Sequence, residues 1–127
     1  MIFVDTNVFM YAVGRDHPLR EETRSFFEDN FERKSQLVTS SEVLQELMHA
    51  YLPVKRISTL DAALKLAESA TGAVWPVERE DIVFARLLLD RYPELGARDL
   101  LHLACCKRRE TEKIMTYDRA LSAAFDT

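Results

Sequence analysis

Apolar positions along the chain repeat with two different periods. Four short apolar runs, at residues 1–4, 36–39, 73–77 and 113–116, are each too brief for a helix and predict strands. Between them apolar residues recur at spacings of three and four, the period of an amphipathic helix. One such stripe is Leu19, Thr23, Phe26, Phe27 and Phe31, and a second is Val43, Leu44, Leu47, Met48 and Tyr51. A third joins Leu60, Ala63, Leu64 and Ala67. Ile82, Ala85, Leu88 and Leu89 form a helix closed by Pro93, and Leu100, Leu103 and Ala104 form another after Gly96. Strands separated by helical crossovers pair in parallel, and a parallel sheet needs cover on both faces. The expected fold is therefore three-layer α/β/α around a central parallel sheet, one domain over residues 1–127 with no linker or repeat.

Helix starts add detail. Thr39, Ser40, Ser41 and Glu42 fit a capping box, with Thr39 as cap and Glu42 reaching back, and Ser58 with Asp61 reads as a looser version. Pro18 suits a first helical turn. Thr6 and Asn7 are residue types that cap helices well, and they precede a short apolar segment through Tyr11 and Ala12. The alternative for both is to orient Asp5 or a metal-bound water.

Composition narrows the class. With 47% apolar residues in 127, the chain can bury one sizeable core without disulfides or a structural metal. No window reaches the roughly 18 uncharged apolar residues of a spanning helix, and the N-terminus lacks a signal-peptide pattern, so no membrane association is expected. Cys105 and Cys106, the only two cysteines, are adjacent in an apolar stretch and cannot form a disulfide framework, which fits a reducing cytoplasm. They lack zinc-site spacing and read as core. The net charge of −4, from 21 acidic and 17 basic residues, argues against an enveloping nucleic-acid binder. It leaves room for a local site, because clustered carboxylates attract anions once they hold a cation.

The acids are where chemistry enters. In open parallel sheets, ligands bind beyond the carboxyl ends of the strands. Asp5 directly follows the first strand and Asp118 follows the last, so parallel strands present both at one sheet edge. At about 100° per residue, Glu46 lies beside the apolar stripe of its helix and Glu42 nearly opposite, which makes Glu46 the inward acid and Glu42 a capping residue. Asp99 lies at the edge of its own stripe, in a first helical turn, where favouring the helix dipole is the competing role. Four carboxylates are thus expected to converge. Mg²⁺ and Mn²⁺ prefer hard oxygen ligands, and such an ion acidifies water and stabilises charge on phosphorus, the requirements of phosphodiester hydrolysis. Without the ion, crowded carboxylates repel and at least one pKa should rise. Metal binding should then stabilise the fold.

Phe3-Val4-Asp5-Thr6-Asn7, Ser40 with Glu46, Arg98-Asp99-Leu100-Leu101-His102-Leu103-Ala104 and Thr116-Tyr117-Asp118 together resemble the PIN-domain nucleases, in the same order and across essentially the whole chain. The stand-alone VapC-type toxins are the nearest likeness. The resemblance implies that Asp5, Glu46, Asp99 and Asp118 are the catalytic and metal-binding acids, with Ser40 and Thr116 in supporting polar positions. It further implies a Mg²⁺- or Mn²⁺-dependent endoribonuclease acting on RNA. Commonly such a protein is a homodimer, restrained by a small antitoxin that inserts a basic side chain near the carboxylates. Tyr117 departs from the pattern by its bulk, and Glu42, one turn before Glu46, is a second acid on that helix.

Other residues carry weaker signals. His102, one turn after Asp99, reads as a packed helix-face histidine, with substrate contact as the alternative. Lys107, Arg108 and Arg109 end a helix, where stabilising its dipole competes with contacting RNA backbone. Arg98 and Arg119, each beside a site acid, are better phosphate contacts. Phe26, Phe27 and Phe31 read as core rather than a base-stacking platform, and Trp75 is open to either role. Two rival functions remain: a catalytically silent scaffold for RNA or protein, and a haloacid-dehalogenase-like phosphohydrolase with Asp5 as nucleophile. Asn7 weighs against the latter, which wants an aspartate there as general acid.

Overall fold

All four short apolar runs form strands in the computed structural model, which describes residues 1–127 and every side chain except those of residues 34 and 35. They are β1 (Ile2–Val4), β2 (Leu37–Ser40), β3 (Ala73–Trp75) and β4 (Lys113–Met115), in the spatial order β3-β2-β1-β4 and parallel throughout. Seven helices surround them: α1 (Thr6–Val13), α2 (Pro18–Asp29), α3 (Ser41–Tyr51), α4 (Ile57–Ala70), α5 (Arg79–Leu88), α6 (Ala97–Arg108) and α7 (Arg119–Phe125). The result is the expected three-layer α/β/α arrangement.

The strand order creates the site. From β1 the chain steps outward to β2 and β3, then returns across both to place β4 on the free side of β1. Such a reversal opens a crevice at the carboxyl ends of the two strands that flank it. Here those strands are β1 and β4, in register Phe3 with Ile114 and Val4 with Met115. The Asp5 N–H extends that pairing by donating to the Met115 carbonyl at 3.0 Å before the chain turns into α1.

One buried cluster joins Phe3, Val4, Val8, Phe9, Val43 and Leu47 with the inner faces of α3 and α4, and a second joins Ala85, Leu88, Leu100, Leu103 and Leu121 of α5, α6 and α7. The middle of helix α6 is covered on every side: Leu100 to Cys106 are buried without interruption, His102 among them. Cys105 and Cys106 are free core thiols, as expected, and burial, first of all, pushes the Cys105 thiol up to about 12. Phe26 and Phe27 pack against the core, but Phe31 lies beyond the end of α2 and is 74% exposed, so it is not core. Among the described residues, no helix is long and apolar enough to cross a membrane.

The caps depart from expectation in register. Pro18 does open α2, capped by His17 Nδ1 accepting from the Leu19 N–H at 3.1 Å. On α3, however, the cap is Ser40, whose Oγ accepts from the Val43 N–H at 3.4 Å, while Thr39 donates its hydroxyl to the Val4 carbonyl at 2.9 Å. Thr39 is still inside a strand, where its side chain ties β2 to β1, and Glu42 consequently has no box to close. Helix α4 starts at Ile57 after Arg56, whose side chain donates to the Thr59 hydroxyl at 3.3 Å and accepts from no helix N–H, so Ser58 and Asp61 lie within the helix and do not form its cap. Thr6 and Asn7 likewise lie inside α1; its cap is Asp5 itself.

Candidate active site

Asp5 sits where β1 ends and α1 begins, 4% exposed, with both carboxylate oxygens engaged. Oδ1 accepts the Thr6 N–H at 2.7 Å and Oδ2 accepts the Thr116 hydroxyl at 2.7 Å. Thr116, the first residue after β4, is the hub of this edge. While donating to Asp5 its oxygen accepts the Asp118 N–H at 3.0 Å and the Asn7 side-chain amide at 3.4 Å, the full capacity of a hydroxyl. Asn7 Oδ1 in turn accepts the Tyr117 N–H at 3.3 Å. Residues 5–7 and 116–118 are thereby stitched together across the crevice, and Asn7 orients the site rather than capping a helix. With an amide there, committed to two bonds, the aspartate nucleophile of a dehalogenase-like reaction has no partner acid.

Helix α3, oriented by Ser40, brings Glu46 to the same place. Glu46 Oε2 accepts the Thr6 hydroxyl at 2.9 Å, so Thr6 links the first two acids through its backbone to one and its side chain to the other. From α6 the ring of His102 enters between them, 1% exposed and tilted against Phe3 at 5.5 Å between centroids. Its Nε2 lies 2.5 Å from Glu46 Oε1 and 3.5 Å from Asp5 Oδ1. Apart from these carboxylate contacts, no hydrogen-bond partner among the described residues reaches Glu46 Oε1 or either ring nitrogen. His102 does pack, as its helical position suggested, but it packs into the acids. That contact escaped a reading of α6 alone, because it depends on α3 lying opposite; the signal available was a histidine exactly one turn from Asp99.

Asp99, in the first turn of α6, and Asp118, the cap of α7, complete the cluster. Asp118 Oδ1 accepts the Leu121 N–H at 2.9 Å. The Asp99 pKa is pushed up to about 6, first by burial, then by the charges of Asp118 and Asp5, with His102 acting in the opposite direction. This is the raised carboxylate that crowding demands. Burial would also raise the Glu46 pKa, but the adjacent His102 imidazole, the Thr6 hydroxyl and the Arg98 charge hold it below the ordinary value. Burial would lower the His102 pKa, and the surrounding Glu46, Asp5 and Asp99 hold it above.

Glu42 is not on the far side of α3. Four residues turn a helix through about 400°, leaving Glu42 only about 40° from Glu46. It is half-buried, its pKa is raised by burial and by Glu46, and it lines a largely apolar hollow of about 350 Å³ with Arg98, Ala85 and Leu101. Arg119 borders a second hollow, of about 430 Å³, with Thr116, Tyr117 and Asp118. Both arginines are exposed. Arg108 and Arg109 serve a different end: both pair with fully buried Asp81 of α5, at 2.7 and 2.8 Å, and with Glu78. Arg109 also stacks over Trp75, which stacks on Phe3, so these side chains tie α6 to β3 and α5, a packing role beyond that of a helix dipole.

The donor set suits a divalent cation. Asp5, Glu46 and His102 present ligand atoms that all lie within 4.8 Å of one another, the one such group among the described residues, and Asp99 lies close enough to Asp118 and Asp5 for their charges to raise its pKa. Uncompensated negative charge and unpartnered Glu46 and His102 atoms are what a cation would relieve.

Comparison with known proteins agrees. A PIN-domain family model matches residues 2–125. Ribonuclease VapC23 of Mycobacterium tuberculosis is 60% identical over 98% of both chains. Among solved structures, Mycobacterium tuberculosis VapC20, described as a Sarcin-Ricin loop cleaving toxin, superposes with a TM-score of 0.83 at 20% identity over 98% of this chain and 95% of its own. A toxin-antitoxin complex from Klebsiella pneumoniae matches with a TM-score of 0.67 at 18% identity, over 93% and 87% of the two chains.

Proposed function

The chain belongs to the PIN-domain family, and from that premise we propose that it is a divalent-metal-dependent endoribonuclease, the toxin of a toxin-antitoxin pair, with Asp5, Glu46, Asp99 and Asp118 as its working acids. The observation that carries this reading is the convergence of these acids at the β1–β4 reversal, with the Asp99 pKa raised to about 6 by burial and by its neighbours' charges. A site so short of positive charge is built to gain it.

Mg²⁺ or Mn²⁺ is the proposed cofactor, and Asp5, Glu46, Asp99 and Asp118 would hold it. When bound, such an ion supplies Lewis acidity, easing deprotonation of water and offsetting charge that builds on the phosphoryl oxygens. The protein's own side chains supply position. Thr6 and Thr116 fix the Asp5 carboxylate from both sides, and Thr6 fixes Glu46. Ser40 sets the start of the helix that carries Glu46. Asp99, with its raised pKa, can hold or release a proton near neutral pH. Arg98 and Arg119, exposed and each lining a hollow beside a site acid, would contact phosphates of the substrate.

The proposed partners are RNA as substrate, a small antitoxin that covers the acids with a basic side chain, and a second copy of the chain. Free buried cysteines suit a reducing cytoplasm. The test is cleavage of RNA by purified protein with and without added divalent ion, beside growth arrest on induction that co-expression of a small adjacent reading frame relieves. Cleavage that persists in excess chelator contradicts the metal, and absence of growth arrest contradicts the toxin role.

A further inference from the structure

The imidazole of His102 is aimed into the carboxylates from within the core, and no hydrogen bond accounts for either of its nitrogens. A buried imidazole whose nitrogens touch carboxylates but make no aligned hydrogen bond needs a further explanation, and a bound ion shared with those carboxylates is one. Its Nε2, with Glu46 Oε1 and Asp5 Oδ1, forms a three-atom set on three separate elements, α6, α3 and the end of β1, spanning no more than 4.8 Å. Atoms that share one octahedral ion of this size lie roughly 3 Å apart, inside the range these three occupy.

We propose that His102 is itself a ligand of the divalent ion, binding through Nε2 beside Asp5 and Glu46, so that the site is a mixed nitrogen and oxygen site that favours Mn²⁺ over Mg²⁺. This rests on the metal-dependent reading above and adds a residue and a metal preference to it. The chemistry follows from the donors. Mg²⁺ is hard and keeps to oxygen and water, whereas the first-row divalent metals, beginning with Mn²⁺ and more strongly after it, tolerate an imidazole nitrogen beside oxygen donors. An all-carboxylate site gives no such reason for preference. The core also holds the ring in place: Phe3 packs against it, and the ring is itself only 1% exposed.

The direct test is electron spin-echo envelope modulation of Mn²⁺ bound to the untagged full chain. The chain has three histidines, and His17 and His49 are exposed, so the double variant His17→Gln/His49→Gln leaves His102 as the sole imidazole. Expected is one tightly bound Mn²⁺ with ¹⁴N modulation of a directly coordinated imidazole, retained in the double variant. Calorimetric titration should show Mn²⁺ binding at least 10-fold more tightly than Mg²⁺, with His102→Gln cutting that ratio by about 10-fold. Stoichiometric Mn²⁺ without ¹⁴N modulation in the double variant overturns His102 as a ligand while leaving the carboxylate site standing. No Mn²⁺ bound at all overturns the metal-dependent reading as well. Because the ¹⁴N measurement keeps His102 intact, it decides the question even if His102→Gln fails to fold.

Discussion

Thr116 donates its hydroxyl to Asp5 Oδ2 at 2.7 Å while accepting the Asp118 N–H at 3.0 Å, so one oxygen sets the position of two acids that are 113 residues apart in sequence. The two strands that deliver them meet only because β4 pairs with β1 at the reversal of strand order. Loss of this hydroxyl strands the Asp118 amide and frees one Asp5 oxygen. Thr116→Val should therefore cost about 1–2 kcal/mol of stability, as expected for a buried network that loses one member, and weaken metal binding. Thr116→Ser, which keeps the hydroxyl, should restore most of both. Chemical denaturation and Mn²⁺ titration of the two variants check this, and equal losses in both would mean that the methyl group, not the hydroxyl, matters.

The raised pKa of Asp99 has a defined consequence for the metal-free protein. With its pKa near 6 in the fold and about 3.8 in the unfolded chain, the folded state binds the extra proton between those values. Stability from this group is present below pH 4 and lost as pH rises through 6. A divalent ion compensates the same charge, so the rise in Tm on adding Mn²⁺ should be larger at pH 7.5 than at pH 5. Differential scanning fluorimetry reads this directly; a larger rise at the lower pH contradicts it.

Removing the charge should have a related effect. Asp99→Asn should raise metal-free stability by on the order of 1 kcal/mol at pH 7.5, since a half-buried carboxylate is partly screened by solvent. The same substitution should weaken Mn²⁺ binding. A variant less stable than the wild type in denaturation would show that Asp99 has a structural role that outweighs the repulsion it suffers.

Asp81 makes a contrasting case. Its carboxylate, fully buried, is held well below the usual range by Arg109, the Glu78 N–H and Arg108, against the effect of its burial. Asp81→Asn should cost about 2 kcal/mol or more, toward the low end for a broken buried ion pair because the guanidinium groups keep some water. Metal affinity should be unchanged, because Arg108 and Arg109 leave the opposite end of α6 from Asp99. Denaturation midpoints and Mn²⁺ titration separate the two effects.

These contrasts show what sequence could and could not carry. Four strands, the parallel sheet and the strand-end positions of Asp5 and Asp118 follow from period and order, because a short apolar run bounded by helical stripes has few other folds available. Glu46 does lean inward to Thr6 and His102, although Glu42, only about 40° away on α3, is half-buried rather than a cap. Caps were misplaced by a residue where a strand runs directly into a helix: Thr39 spends its hydroxyl on Val4, which only the neighbouring strand reveals. The contacts of His102 and the pairing of Arg108 and Arg109 with Asp81 join elements distant in sequence, and helical period is silent about which faces meet. Phe31 continues a spacing past the end of α2, where the spacing no longer means a shared face.

The central claim is most directly tested by incubating purified chain with RNA, with Mg²⁺ or Mn²⁺ and with excess chelator, beside the Asp5→Asn variant. Asparagine keeps the size of the side chain and an oxygen for the Thr6 N–H, so circular dichroism should show the fold preserved. The predicted result is cleavage by the wild type with metal alone, none with chelator and none by Asp5→Asn. Cleavage by a folded Asp5→Asn variant, or undiminished cleavage in chelator, would contradict the account.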